Sequence, residues 1–353
     1  MSIQNKIDIK SILKTELEDK IQKLGLLKYR ADQIYEWVMQ KDASGFDDMT
    51  NIPKKERTVL SQNFYVSNLE TEKVFKSKDI NDETKKYLFK LSDGEFVESV
   101  LMKYKYGYSV CVSTQVGCKM GCRFCATGLG GYVRDLLAGE ILSQIQKINK
   151  ESKVRISHVV LMGMGEPLEN YDNVVNFLKI ASSKDSLNIS RRNISLSTCG
   201  LADKISLLAT ENFGVTLSVS LHASNNKIRD KIMPINRRFN IETLLKSCKY
   251  YIAKTGRRIS FEYTLISGLN DSPECALELS HKLKGMLCHV NLIKLNEVDK
   301  NTKLKTSTDS SIYRFREILL KTGIPATTRR SLGKSINAAC GQLRNRKLSL
   351  NRV

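Results

Sequence analysis

Three cysteines spaced C-x3-C-x2-C, Cys118, Cys122 and Cys125, constrain this chain more than any other feature. Standing so close, they cannot bridge one another in a useful way, but their thiolates can converge on one inorganic core. A closed structural zinc site wants four ligands, commonly as two close pairs, and no second C-x2-C or H-x3-H follows. An iron–sulfur cubane suits the pattern better: three irons take one thiolate each and the fourth stays open to a small molecule. Zinc, and inert cysteines buried as small core residues, are the alternatives. The chain holds nine cysteines, an odd number. With three of them clustered, this favours metal and redox chemistry in a reducing cytosol over a disulfide framework.

At 353 residues the chain is long enough to bury a sizeable core, which predicts one large domain plus an accessory piece. It has no run of eighteen apolar residues, and its first residues, MSIQNK, lack the apolar core and cleavage site of a signal peptide. A cytoplasmic protein is expected. Net charge is +20, from 57 basic and 37 acidic residues. Residues 1–60 carry 11 basic and 10 acidic side chains, so the excess belongs to the rest, and residues 321–353 hold eight basic residues and no acid. Such a field suits a polyanion, with nucleic acid the obvious one and a merely solubilising face the alternative.

Along the chain, residues 1 to about 60 read as a small helical unit. Tyr29 to Gln40 places Ile34, Trp37 and Val38 on one helix face, and a basic helix starts at Lys54 after Pro53. From about Glu72 the period changes to two. Lys86–Leu91 and Glu95–Met102 flank the turn Ser92-Asp93-Gly94, and Glu98 shares a face with Phe96, Val100 and Met102. A carboxylate there is either at a wet edge or functional. Short apolar runs at 109–113, 156–162, 194–198, 215–221, 259–266 and 290–295 then alternate with amphipathic stretches at 136–148, 174–181, 241–253 and 273–283. Six βα units imply an α/β fold with a parallel sheet, most simply an open, partial barrel.

The cysteine spacing, with Phe124 before the last cysteine, resembles the signature of radical S-adenosylmethionine (SAM) enzymes. Ligands of parallel α/β folds sit at the carboxyl ends of the strands, where this chain places Gly163-Met164-Gly165-Glu166-Pro167, Ser197, Ser220-Leu221-His222 and Asn296. Together these form a polar ring suited to the methionine and ribose parts of SAM.

With Ser218–Ala223, Met233–Asn236, His289–Asn296 and the run Asn337-Ala338-Ala339-Cys340-Gly341-Gln342-Leu343 added, the chain resembles the RlmN/Cfr family from about Glu95 to Leu343. One departure is Lys294, where that family often has proline. The resemblance implies a partial (β/α)6 radical-SAM barrel with a small N-terminal helical accessory domain. It divides the chain into a helical domain 1–65, a β-hairpin extension 66–107, the barrel 108–330 and a segment 331–353 carrying the methyl-accepting cysteine. It implies a 4Fe-4S cluster on Cys118, Cys122 and Cys125, with SAM contacts from Gly165, Glu166, Ser197, Ser220, Leu221, His222 and Asn296. Cys340 would carry the methyl group, Cys111 would resolve it through a disulfide, and Glu98 would accept a proton. Cys199, Cys248, Cys275 and Cys288 read as core.

The implied reaction methylates carbon 2 of adenine in RNA, a carbon with no acidic proton or lone pair, using two SAM molecules per turnover and an S-methylcysteine intermediate. Implied partners are 23S rRNA at the peptidyl-transferase region, tRNA at the adenosine 3′ of the anticodon, and an electron donor such as flavodoxin or ferredoxin. No membrane is expected, and the chain is expected to act as a monomer. Two alternatives stand. One is the carbon-8 branch linked to antibiotic resistance, against which Pro167 after the glutamate argues. The other is a non-catalytic RNA-binding assembly factor with a structural cluster. Arg329, Arg330 and Lys334 precede Cys340 and favour its thiolate if they lie near it in space.

Overall fold

The computed structural model describes residues 6–296, 304–330 and 332–343. Arg344, Arg346, Lys347 and Arg352, half of the basic residues in 321–353, lie outside the described residues. A short strand β1 (Ile7–Asp8) pairs in parallel with β2 (Phe64–Tyr65) and closes an N-terminal unit of α1 (Lys14–Lys23), α2 (Arg30–Met39) and α3 (Lys54–Asn63). Helix α2 buries Ala31, Ile34, Tyr35 and Val38, an apolar stripe of helical period. Trp37, expected on that face, lies at its half-buried rim: its Nε1 donates to Asn51 Oδ1 at 2.6 Å and the Lys41 ammonium stands over its ring. An indole N–H needs a partner, and the rim supplies one.

Ten strands make the main sheet. β3 (Glu70–Lys76), β4 (Lys85–Lys90) and β5 (Phe96–Tyr104) run antiparallel to one another, and β5 is antiparallel to β6 (Gly107–Cys111). The expected turn joins β4 to β5, with Gly94 at φ +85° and its N–H donating to Leu91 O. After β6 come β7 (Gln115–Gly117), α4 (Ala126–Leu129) and β8 (Tyr132–Asp135). Strands β7 and β8 form a separate antiparallel ribbon on either side of the cysteine loop. The chain then runs α5 (Ala138–Ser152), β9 (Ile156–Leu161), α6 (Tyr171–Ser182), β10 (Ile194–Thr198), α7 (Ala202–Glu211), β11 (Thr216–Ser220), α8 (Asn226–Ile232), α9 (Ile241–Thr255), β12 (Ile259–Leu265), α10 (Pro273–Leu283), β13 (Cys288–Lys294), α11 (Asp309–Lys321) and β14 (Ala326–Thr328).

From β6 to β14 every neighbour is parallel, in the order β6-β9-β10-β11-β12-β13-β14. β3 and β14 are the two ends of the sheet, so the barrel is partial. The six expected strands are β6 and β9 to β13. β14 is a seventh parallel strand, too short to show as an apolar run. Val159, Leu161, Leu196, Leu217, Val219, Phe261, Val290 and Leu292 are fully buried, each side chain contributing roughly 1.5–3 kcal/mol of hydrophobic stabilisation.

The N-terminal unit docks on α5 through polar groups. Lys10, fully buried, donates from Nζ to Asp42 and to Ser143, and Gln146 Nε2 donates to the Val38 and Met39 carbonyls that end α2. A Cβ on Gly139 would collide with Asp8 and Lys10, so only glycine lets this helix approach so closely. Among the described residues no helix is long and apolar enough to cross a membrane.

Candidate active site

A cavity of about 160 Å3 opens at the carboxyl ends of the parallel strands, and Cys118, Cys122 and Cys125 form one side of it. Their loop is pinned at several points. Cys118 N donates to Gly131 O (2.7 Å), Arg123 N to Ile232 O (3.0 Å) and Ala126 N to Gly341 O (2.7 Å). Gly117, at φ +77°, carries the turn where any Cβ would strike the Gly131 carbonyl. Burial pushes the Cys118 thiol up to about 12, and burial, reinforced by Cys125 and Cys118, pushes Cys122 up as well. Such thiols stay neutral until a cation takes them. The three thiols line one shared space, as a multi-iron core held by three cysteines requires.

Glu166 forms the next wall. It is buried, and backbone N–H groups hold both its oxygens: Leu168 N donates to Oε1 (3.0 Å) and Cys199 N to Oε2 (2.6 Å). The turn before it needs Gly165, at φ +107°, because a Cβ there would press into Gln115, whose Oε1 accepts from Glu166 N at 2.8 Å. Ser197, Ser220 and His222 also line the cavity. His222 sits at φ +54°, its Nδ1 accepts from Thr264 N (2.9 Å), and its ring meets Phe124 edge-on. Burial, with the Arg229 charge nearby, pulls its pKa down to about 3, so it stays neutral. Leu221 does not line the cavity: its side chain is in the core, and its backbone N–H donates to Glu262 O.

Arg229, which the sequence reading did not single out, fixes these strand ends. It is fully buried and donates to the carbonyls of Cys199 (2.7 Å), Ser220 (3.2 Å), Leu221 (3.1 Å) and Phe239 (3.3 Å), and to Asn236 Oδ1 (3.2 Å). A guanidinium with every arm engaged tolerates burial that a lone cation would not.

The opposite wall is more open. Glu262, in the middle of β12, accepts from Asn291 Nδ2 at 3.0 Å through Oε1, while its Oε2 takes no hydrogen bond and lies 3.6 Å from Arg329 Nη1. Asn296 donates to Cys340 O at 3.1 Å and leaves its buried Oδ1 without a partner among the described residues. Glu262 was also missed, although its signal was legible: like Glu98, it is a carboxylate inside an apolar strand.

Cys340 is exposed and lines both this cavity and a second recess with Met102, Tyr104, Arg329 and Arg330. Of the three basic residues noted before it, Arg329 and Arg330 share its surroundings and Lys334 lines neither space. Cys111 lies behind, in β6, between Val100 and Val160. Burial, with the Cys340 thiol near, pushes its thiol up to about 12. The disulfide expected between Cys111 and Cys340 is absent: all nine cysteines are free. Cys111 is fixed in a central strand and Cys340 is carried on the outer segment, so bridging them requires that segment to move. Glu98 does not line the cavity. It is buried and ion-paired with Lys86 Nζ at 3.0 Å, and the same ammonium donates to the Asn337 carbonyl in the Cys340 segment. Lys294, the residue that departs from the resembled pattern, lines the cavity and pairs with Asp309.

Residues 112–279 match the radical SAM superfamily, and residues 7–66 match the ribosomal RNA large subunit methyltransferase N-terminal domain. The chain is 50% identical over 336 residues to a probable dual-specificity RNA methyltransferase RlmN of Clostridium novyi, covering 95% of this chain and 97% of that one. The chain belongs to the RlmN family of radical SAM methyltransferases. A relative of the same name from Lachnoclostridium phytofermentans is 49% identical, covering 97% of this chain and 96% of its own. The crystal structure of a radical SAM methyltransferase from Sphaerobacter thermophilus superposes with a TM-score of 0.89 at 41% identity, covering 96% of this chain and 99% of that one. An RlmN-type chain implies a 4Fe-4S cluster and SAM. The donor set fits them: three soft thiols around one space, with Glu262 Oε2 and Asn296 Oδ1 across it, neither of which accepts a hydrogen bond among the described residues.

Proposed function

We propose that this protein methylates carbon 2 of an adenosine in 23S rRNA, at the peptidyl-transferase region, and of the adenosine 3′ of the anticodon in tRNA. The observation that carries this reading is a single cavity lined both by the three-cysteine loop and by the exposed Cys340. The names of the relatives support the RNA part, and the net charge of +20 suits a polyanionic substrate.

Cys118, Cys122 and Cys125 would hold the cluster, and SAM would sit against Gly165, Glu166, Ser197, the Ser220–His222 backbone and Asn296. Bound there, cluster and SAM supply the methyl group and the one-electron chemistry that adenine carbon 2 demands. Cys340 carries the methyl group, since its thiol is exposed where a base can approach. Glu98, held by Lys86 against the Asn337 carbonyl, takes the proton. Cys111 resolves the adduct by attacking the Cys340 sulfur; burial pushes its thiol up to about 12, a rise that the Arg329 guanidinium opposes.

The division at 65, 107 and 330 serves this chemistry, with the methyl-carrying segment after the barrel. Two SAM molecules per turnover, a flavodoxin or ferredoxin as electron donor, a cytoplasmic location and a monomeric enzyme complete the proposal. Nucleoside mass spectrometry of rRNA and tRNA from a deletion strain tests it. Loss of 2-methyladenosine is expected, and loss of 8-methyladenosine instead would move the enzyme to the carbon-8 branch.

A further inference from the structure

Beside the cysteine loop, and separate from the Cys340 mouth, lies an open groove of about 610 Å3. Its floor is Met120, Pro234 and Ile235, and its rim carries Lys119, Arg237 and Arg238. Both arginines are exposed. Lys119 pairs with Glu169 and Arg238 reaches Asp203, so the rim keeps a positive surplus. Met120 lines this groove and also the cavity that the three cysteines face, and Met233, next to Pro234, lines that cavity too. At Met120 the partition between the groove and the cysteine cavity is one side chain thick.

We propose that this groove docks the electron donor, an acidic one-electron carrier protein, against the outer side of the cluster loop. The inference rests on the cluster assigned above. In the step it serves, the carrier loses one electron and the cluster gains it, with no bond made and no proton moved. An apolar floor inside a charged rim is the anatomy of a protein interface, and complementary charge steers such short-lived encounters. RNA is the competing occupant. The recess at Cys340, which a base must reach, shares no lining residue with the groove, which meets the main cavity only at Met120, and the floor of Met120, Pro234 and Ile235 side chains offers phosphates no donor.

The test uses the reconstituted enzyme with Arg237→Glu and Arg238→Glu together, and reduced flavodoxin as the probe. Cluster reduction is followed anaerobically against flavodoxin concentration. The expected result is an apparent affinity for flavodoxin weakened roughly tenfold or more, with dithionite reduction and RNA affinity unchanged. The paired Arg237→Gln and Arg238→Gln variant should fall between. Unchanged flavodoxin affinity would overturn the proposal, and so would a parallel fall in RNA affinity, which would make the groove an RNA contact. Calorimetric titration of the metal-free protein with oxidised flavodoxin reads docking alone. Failure of the cluster reading would show instead as wild-type protein without iron–sulfur absorbance.

Discussion

Two buried carboxylates face the same cavity and are treated in opposite ways. Backbone N–H groups saturate Glu166 from two directions, so it staples the end of β9 to the end of β10. Glu262, on β12, keeps one oxygen without a hydrogen bond beside a guanidinium. A carboxylate oxygen held only by an ion pair at 3.6 Å is less fully satisfied than one that accepts backbone hydrogen bonds, and it keeps acceptor capacity for another group. The Glu166 wall is therefore held by the backbone around it, and the Glu262 wall, with Asn296 and Cys340, is the side left more open to receive a group.

The largest expected effect tests whether the cysteine side holds metal at all. Replacing Cys118, Cys122 and Cys125 by alanine together should remove all iron and the brown colour of anaerobically prepared protein while circular dichroism stays unchanged. Tight stoichiometric zinc in the wild type, with no iron–sulfur absorbance, would remove the basis of the comparison. Next comes the receiving side. Cys111→Ala should stop turnover at a covalent protein–RNA species, seen as a slow band on a denaturing gel, whereas Cys340→Ala should give neither adduct nor product. Normal turnover by Cys111→Ala would make that thiol an ordinary core residue.

A direct contrast of the two carboxylates follows. Glu166→Gln, which swaps an acceptor for a donor facing other donors, should destabilise the metal-free protein by about 2–4 kcal/mol in urea, and Glu262→Gln by less than about 1 kcal/mol. Equal losses would erase the distinction. The remaining effect is on acid stability. His222 has its pKa held at about 3 in the fold, against about 6.5 when unfolded. Its stabilising contribution is therefore complete above pH 6.5. As pH falls from 6.5 towards 3, the unfolded chain takes a proton that the folded one refuses, and stability drops by up to about 1.4 kcal/mol per pH unit. His222→Gln should flatten that part of the profile, and an unchanged slope would show that other groups set it.

Strands β6 and β9 to β13 were legible because each is a short β-branched or apolar run with buried apolar residues on at least one face. β14 was not, because it has three residues and two of them, Thr327 and Thr328, are exposed. The β7–β8 ribbon is as short, and it exists to hold the loop between its strands. Glu98 drew attention as a carboxylate among apolar neighbours, yet the same pattern at Glu262 passed as plain strand. No local signal reveals Arg229: the segment NKIRDKI reads as a solvated helix, and the acceptors that justify burying the arginine, from Cys199 to Phe239, converge on it only once the strand ends are assembled. The Cys111–Cys340 bridge that the resemblance implies is absent, because one thiol is buried in a central strand and the other is exposed on the outer segment.

The segment that bears Cys340 is sewn down at both ends. Gly333 N and Ser335 bind the β3–β4 hairpin through Asp82 and Ser77, while the Gly341 and Leu343 carbonyls accept from Ala126 and Thr127, directly after the last cysteine of the loop. The cysteine loop and the segment that bears Cys340 therefore stand or fall together: whatever orders one favours the order of the other by the same amount, so the exposed thiol is aimed by the loop it faces.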